Sequence, residues 1–322
     1  MTISRRDFML SSTALLATSV SVRAQAPLAD TMRIIVPIPA GNAFDASARQ
    51  FAEAYRATTG RNCFVENKPG AGTTIGANEV SRSKPDGSVV LWTTAGHITT
   101  AVLMKKLPYD AIEGFTPLTP VTRGDGFAMV TRTGSPFNSV QEVIDAAKKS
   151  PGKYSYASAG VGNTTHVVGA LFAKQAGIDL VHVPYRADFL TDLIAGVTEI
   201  MFIAPTVVAP MVKTGKLKML GITGLRRADR YPTLPTLTEF GVHDLNIPAY
   251  SALYAPPKMP APVLTALHEG IAKTMRSPSL VASYESLGNN IWTLSPQDFK
   301  AHLQAEFDYY KRVLPPLNIQ MD

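Results

Sequence analysis

A chain of 322 residues is too long for one small hydrophobic core and is a natural length for two lobes. Its net charge of +6 is scattered, with no run of Lys or Arg interleaved with aromatics, which argues against a nucleic-acid surface and suits small acidic ligands. A single cysteine, Cys63, excludes an intramolecular disulfide and any iron–sulfur or thiolate zinc site.

The chain opens on Ser4-Arg5-Arg6-Asp7-Phe8-Met9-Leu10, a twin-arginine pattern, followed by the small-residue run Ser11 to Val22. That run is too short and too rich in Ser and Thr for a membrane span, which needs about 20 predominantly apolar residues. The expectation is a signal segment over residues 1–24 that sends the chain to the periplasm. Ala24-Gln25-Ala26 fits the small-x-small cleavage rule but would leave Pro27 just past the bond; Val22-Arg23-Ala24 fits equally well and places the cut after Ala24. No later segment is long and apolar enough to cross a bilayer.

From Met32 to about Pro120, strands alternate with helices, which predicts a mainly parallel sheet covered by helices. The strand at Met32 runs through Pro37-Ile38-Pro39-Ala40-Gly41-Asn42 into a helix from about Phe44. In that helix Phe44, Ala48, Phe51, Ala52 and Tyr55 form one apolar face, and Gly60 terminates it. Cys63–Glu66 and Val89–Thr93 read as the next strands, with Cys63 as a small buried residue.

A second strand–helix series starts near Phe127. It contains a helix at Val140–Lys149, a strand at Tyr154–Ala157, a helix at His166–Ala176 and a strand at Leu180–Pro184. A helix near Phe189–Ile194 and strands at Glu199–Ile203 and Leu217–Ile222 follow, then a loop at Arg226–Pro235. Ile247–Tyr254 leads back as a strand, before two helices, the last from about Ser295 to Leu314. The fold class is therefore α/β with two lobes, each a mostly parallel sheet flanked by helices. Residues 25–124 and 247–322 form the first lobe and 125–246 the second, with crossovers near Val121–Gly126 and Asn246–Tyr250.

Two junctions stand out, Ile38 to Asp45 and Ser158-Ala159-Gly160-Val161-Gly162-Asn163-Thr164-Thr165. A strand that turns through glycine into a helix aims free N–H groups and the positive helix end at one point, which makes an anion site. One such site in each half predicts two lobes closing on a carboxylate or another small anion.

The residues also resemble a known family. Ile35-Val36-Pro37-Ile38-Pro39-Ala40-Gly41 with Asp45 and Ala48-Arg49, Glu66-Asn67-Lys68-Pro69-Gly70-Ala71-Gly72, Lys84-Pro85-Asp86-Gly87, Leu107-Pro108-Tyr109-Asp110, Ala157 to His166, and His182-Val183-Pro184-Tyr185 are similar to the Bug family, in the same order. These are the periplasmic substrate-binding proteins of tripartite tricarboxylate transporters. The resemblance implies a two-lobed binding protein of type II-like architecture that captures an organic carboxylate for membrane transporter subunits, with no cofactor and no metal. It implies that one carboxylate lies between Ala40, Gly41, Asn42, Ala43, Phe44 and Asp45 of one lobe and Ser158, Gly160, Gly162, Asn163, Thr164 and Thr165 of the other. Thr94, His97, Arg186 and Ile203 complete the candidate set.

Three positions depart from the family pattern. Asn42 replaces a glycine, the loop after Tyr185 is shorter and reads Arg186-Ala187-Asp188-Phe189, and Ile203 stands where an Asp is usual. Ile203 predicts a ligand without an ammonium group, because no unpaired carboxylate is evident elsewhere to meet one. Arg186 is the candidate for a second ligand carboxylate, so a dicarboxylate or an aromatic carboxylate is expected.

Plainer roles compete at several of these positions. Asp45 serves equally as a helix-end decoration, His166 as a helix-start packing residue, and Arg186 as a solvated charge. Arg123 and Asp125 read as an ion pair at the crossover, and Trp92 as core. Gly160-Val161-Gly162-Asn163-Thr164-Thr165 approaches a dinucleotide fingerprint but has Thr165 at its last glycine. A hydrolase would need a nucleophile, a base and an orienting acid; no Gly-x-Ser-x-Gly elbow is present and no His has an evident partner. The expectation is a monomeric binding protein and not an enzyme, with a ligand sensor for a membrane kinase as the alternative.

Overall fold

The computed structural model describes residues 28–185, 189–243, 245, 247–286 and 288–321. The signal segment with its cut after Ala24, the Arg186 position and Asn246 at the second crossover lie outside them. In chain order the first series is β1 (Thr31–Val36), α1 (Ala43–Thr59), β2 (Asn62–Asn67), α2 (Thr74–Ser81), β3 (Val89–Thr94), α3 (Gly96–Leu103) and β4 (Thr116–Arg123). The second is β5 (Ala128–Arg132), α4 (Val140–Lys149), β6 (Ser155–Ser158), α5 (Thr164–Ala176), β7 (Val181–Pro184), α6 (Phe189–Ala195), β8 (Ile200–Ile203), α7 (Pro205–Lys213) and β9 (Leu217–Ile222). The chain then returns through β10 (Tyr250–Ala255), α8 (Ala261–Met275), α9 (Pro278–Ser286), the two-residue β11 (Asn290–Ile291) and α10 (Pro296–Val313).

These strands form two sheets, ordered β11-β4-β10-β3-β1-β2 and β7-β6-β8-β5-β9. Each is mixed, where mostly parallel sheets were expected: β1–β2, β1–β3, β6–β7 and β6–β8 pair parallel, and the other five pairs are antiparallel. The long antiparallel strands are those that follow a crossing between sheets: β5 is antiparallel to β8 and β9, and β10 is antiparallel to β3 and β4. The geometry explains this. A strand that arrives from the crossing starts at the edge facing the other sheet and runs away from it, whereas the strands of strand–helix units end at that edge. The loops after β1, β3, β6 and β8 therefore emerge together.

The crossings are pinned. Gly124 donates its N–H to Ala249 O at 2.7 Å, and Phe127 N donates to Thr223 Oγ1 at 2.9 Å. Between them Gly126 has φ +97°, and a Cβ there would lie 2.5 Å from Thr223 Oγ1, so only glycine fits.

Helix α1 forms where it was expected and for the expected reason. Its apolar stripe of Ala48, Phe51, Ala52 and Tyr55 is buried against Trp92 and Ile34, and Gly60 closes it at φ +74°. Each fully buried aromatic on that stripe contributes on the order of 1.5–3 kcal/mol. Cys63 is buried in the same cluster, where burial pushes its thiol up to about 12, so it is inert.

Three differences from the sequence expectation stand out. Helix α7 occupies a stretch, Pro205-Thr206-Val207-Val208-Ala209-Pro210, whose β-branched residues and internal proline carry little helical signal. Helix α3 is similarly rich in Ile, Thr and Val. Three helices, not two, follow β10. At the chain's end Lys174 donates to Pro316 O at 3.1 Å, and Met321 bridges to Met104 while packing against Gly162.

Candidate functional site

The turn before α1 is held by two side chains. Asn42 caps the helix: its Oδ1 accepts from Phe44 N at 2.9 Å and Asp45 N at 3.0 Å, while its Nδ2 donates to Pro39 O at 2.7 Å. Asp45 is buried and fully engaged, accepting from Gly41 N at 3.0 Å, Arg49 Nε at 2.9 Å and Asn67 Nδ2 at 2.8 Å. Burial alone would push its carboxyl up, but those three donors outweigh it and hold the group below the usual carboxylate range.

The turn before α5 is built without a formal charge. Asn163 Oδ1 accepts from Thr165 N and Thr165 Oγ1, each at 3.0 Å, and Thr165 Oγ1 accepts from Ala159 N at 2.9 Å. Ser158 Oγ lies 2.6 Å from His182 Nε2 and accepts from Gly160 N at 3.2 Å. Gly162 N donates to His166 Nδ1 at 3.0 Å. The His166 and His182 rings stack with centroids 3.6 Å apart, and Tyr156 stacks on His182 at 5.0 Å. Burial pulls His166 down to about 3, helped by His182, and pulls His182 down to about 4, so both imidazoles are neutral at pH 7.

Between the sheets lies a cavity of about 220 Å³. Its wall includes Ala43 and Phe44 at the start of α1, Thr94 and Ala95 before α3, Asn163 and Thr164 at the start of α5, and Ala204 to Val207 at the start of α7. Four helix N-termini from two sheets thus converge on one space. Side-chain caps already take several of their N–H groups, which corrects the expectation of wholly free donors; Ala43, Thr164 and Thr206 carry the first N–H of α1, α5 and α7. An anion there gains roughly 1–4 kcal/mol from four helix ends at about 0.3–1 kcal/mol each. The rest of the wall is apolar or weakly polar: Phe127, Pro205, Pro248 and Tyr250, the Thr122–Ser251 hydroxyl pair at 2.6 Å, and Asn289. Among the described residues no Lys or Arg lines it, and its one formally charged residue is Asp125.

The candidate residues divide accordingly. Ala43, Phe44, Thr94, Asn163 and Thr164 lie on the wall, with Phe44 braced edge-on by buried Trp92 at 6.2 Å. Ala40, Gly41 and Asn42 are exposed beside it. Asp45, Ser158 and Thr165 are spent on folding their loops, and Gly160 and Gly162 supply the positive φ values of +111° and +75° that the second turn needs.

His97 corrects the expectation that it faces the cleft. Its Nε2 meets Ala111 O at 2.9 Å, its ring stacks on Tyr109 at 5.8 Å, and burial pulls it down to about 4. Ile203 is likewise inside, in a cluster with Ala128, Leu193, Met201 and Val208, because the chain turns to the cavity only at Ala204. Arg123 and Asp125 do not pair: Arg123 lies over the Trp292 ring at 5.3 Å, and the cation nearest Asp125 is Arg230, its Nε 3.7 Å from Oδ2. His182 does have a hydroxyl partner, but Ser158 is fully buried and off the cavity wall, so this pair is scaffolding. The presence of Asp125 on the wall also removes the premise that no carboxylate could meet a ligand cation. Sequence reasoning missed the α7 end, Thr122, Ser251 and Asn289; Pro205 at the first helical position was the available signal for α7.

Residues 47–319 match the profile of the tripartite tricarboxylate transporter family receptor. A UPF0065 protein from the tcbD-tcbE intergenic region of Pseudomonas sp. (strain P51) is 29% identical over 315 residues, covering 96% of this chain and 94% of the relative. A UPF0065 protein of Agrobacterium vitis is 30% identical over 257 residues, 79% of this chain and 74% of its own. The periplasmic binding protein BugD superposes with a TM-score of 0.81 at 28% identity, covering 90% of this chain and 98% of its own. An R. palustris protein solved with adipate gives 0.82 at 25% identity, with the same coverage. With four helix ends of two sheets turned on one cavity, and a profile match over most of its length, the chain belongs to the tripartite tricarboxylate transporter receptor family of Bug-type periplasmic solute-binding proteins.

Proposed function

We propose that this protein captures a small organic carboxylate between its two lobes in the periplasm and delivers it to a tripartite tricarboxylate-type transporter. The observation that carries the reading is the convergence of four helix N-termini on one cavity without a basic side chain on its wall among the described residues. Such a site holds an anion by dipoles and N–H groups, which leaves the ligand free to depart again when the lobes open. Residues 25–124 with 247–322 close against 125–246 by rotation about the two crossings. Export uses the twin-arginine segment, cleaved after Ala24.

The carboxylate rests between the loops at Ala40–Asp45 and Ser158–Thr165, with Thr164 Oγ1 as the side-chain donor. Of the two ligand classes expected, the wall favours an aromatic carboxylate: Phe44, Phe127 and Tyr250 line it. The adipate of the R. palustris relative makes a dicarboxylate the natural comparison.

Calorimetric titration of the mature protein with benzoates, aliphatic monocarboxylates, adipate and citrate tests this. One acid should bind at one site per monomer and be recovered unchanged by mass spectrometry. Product formation, or no binding by any acid, would contradict it.

A further inference from the structure

The only formal charge on the cavity wall among the described residues is negative. Asp125 sits between Gly124, tied to Ala249 O at 2.7 Å, and Gly126, whose φ of +97° is imposed by Thr223. Both neighbours are fixed, so the backbone at Asp125 is held in place between them. The Asp125 side chain is 13% exposed, and its Oδ2 is buried with no hydrogen-bond partner.

Among the described residues Arg230 is the cation within ion-pair distance, at 3.7 Å, beyond hydrogen-bond reach and itself 40% exposed, while Arg123, Arg226 and Arg227 line an adjoining pocket with Asp125. Arg230 softens the charge but satisfies no lone pair. Burial accordingly pushes the carboxyl up, with Arg230 working against that and Asp229 adding to it. A buried carboxylate oxygen left without a donor is costly, so the negative charge at this wall is only partly compensated.

The same cavity offers a second carboxylate nothing comparable. Among the described residues its wall has no Lys or Arg, so on that wall a dicarboxylate would set its far end near Asp125 or in solvent. Like charges in a partly desolvated space repel, while an ammonium in that place gains a charge-assisted bond.

We propose that Asp125 is a specificity-determining residue of this site, selecting carboxylates that carry an ammonium or hydroxyl group and rejecting those that carry a second carboxylate. This rests on the carboxylate-binding reading above and narrows it to amino- and hydroxy-carboxylates. It reverses the expectation drawn from Ile203, whose side chain is in the core.

The test uses matched quartets that share one carboxylate and differ only at the far end: butyrate, 4-hydroxybutyrate, 4-aminobutyrate and succinate, and benzoate, 4-hydroxybenzoate, 4-(aminomethyl)benzoate and terephthalate. Affinities for wild type should run ammonium, hydroxyl, unsubstituted, dicarboxylate, with at least tenfold between first and last in the quartet that fits the cavity. Asp125→Asn should collapse that span to about threefold or less, mainly by weakening the ammonium member. Arg230→Gln, which removes the compensating cation without touching the wall, should widen it.

A wild-type preference for the dicarboxylate overturns the inference while leaving the carboxylate site intact. So does an unchanged ranking in both variants. Failure of all eight acids to bind overturns the carboxylate reading, and this inference with it.

Discussion

The two loops that meet at the cavity do the same work with opposite materials. The first is organised by an ionised carboxylate, Asp45, tied to Arg49, Asn67 and the Gly41 N–H. The second is organised by neutral groups, the Ser158–His182 contact, the Thr165 hydroxyl and two stacked imidazoles. Both leave the start of a helix facing the cavity, and neither spends a basic side chain there. The comparison shows that most polar side chains in these turns are scaffold for backbone donors. It also shows how two unrelated sets of residues can turn helix starts toward one cavity.

The comparison can be broken most forcefully at Asp45. Asp45→Ala leaves Arg49, Asn67 and the Gly41 N–H without their shared acceptor, and should cost about 3 kcal/mol of unfolding free energy. Ligand affinity should fall at least tenfold as the turn loosens. Urea unfolding and a matching titration read both effects, and a variant with unchanged stability would show that the carboxylate does not organise the loop.

Adjacent threonines sharpen it. Thr164 lies on the cavity wall, while Thr165 is engaged with Asn163 and Ala159. Thr164→Val should cost roughly 1.5–3 kcal/mol of binding with little loss of stability, because a charged ligand oxygen loses a donor. Thr165→Val should do the reverse, lowering stability by about 1 kcal/mol and affinity by less than threefold. Equal effects of the two would erase the distinction between wall and scaffold.

Acidification separates the loops by sign and window. Folding lowers the His166 and His182 pKa values from 6.5 to about 3 and about 4, so the unfolded chain binds more protons below pH 6.5. Their contribution is complete above that pH and is lost as pH falls toward 4 and then 3. Asp45, lowered from 3.8, contributes above that value and is lost only as pH falls further. The second loop should therefore weaken first. Glu306, raised to about 7 by burial, acts oppositely: its contribution grows as pH falls from 7 toward 4.5, so the readout must be local. Imidazole proton shifts should show both rings still neutral at pH 5.5, and ordinary midpoints near 6.5 would contradict the buried stack.

Much of this molecule could be read from the chain because its signals are local. The turn at Ala40-Gly41-Asn42 and the terminator Gly60 act within a few residues, and α1 begins and ends close to where it was expected; α5 starts at Thr164, two residues before the expected His166, because Asn163 caps it. The wall residues Thr94 and Thr164 follow from the rule that open α/β sheets bind beyond the carboxyl ends of strands.

What escaped was direction. His97 and Ile203 sit at the right ends of the right elements, yet their side chains point to the core, which is set by packing against Tyr109, Phe115 and Leu193 and not by spacing. Helix α7 was hidden by Val207, Val208 and Pro210, residues that tertiary packing accepts in a helix but propensity does not. The partner of Asp125 could not be foreseen because Arg230 is distant in sequence.

The central claim is that the ligand's carboxylate charge, held by helix ends, is what the cavity recognises. Thermal unfolding of the mature protein with an acid that binds it and with that acid's methyl ester, each at the same concentration, tests it most directly. At 100 times its Kd the acid should stabilise the fold by about 2.7 kcal/mol, and the ester should leave the midpoint where it is without ligand. An ester that stabilises as well as the acid would contradict the account.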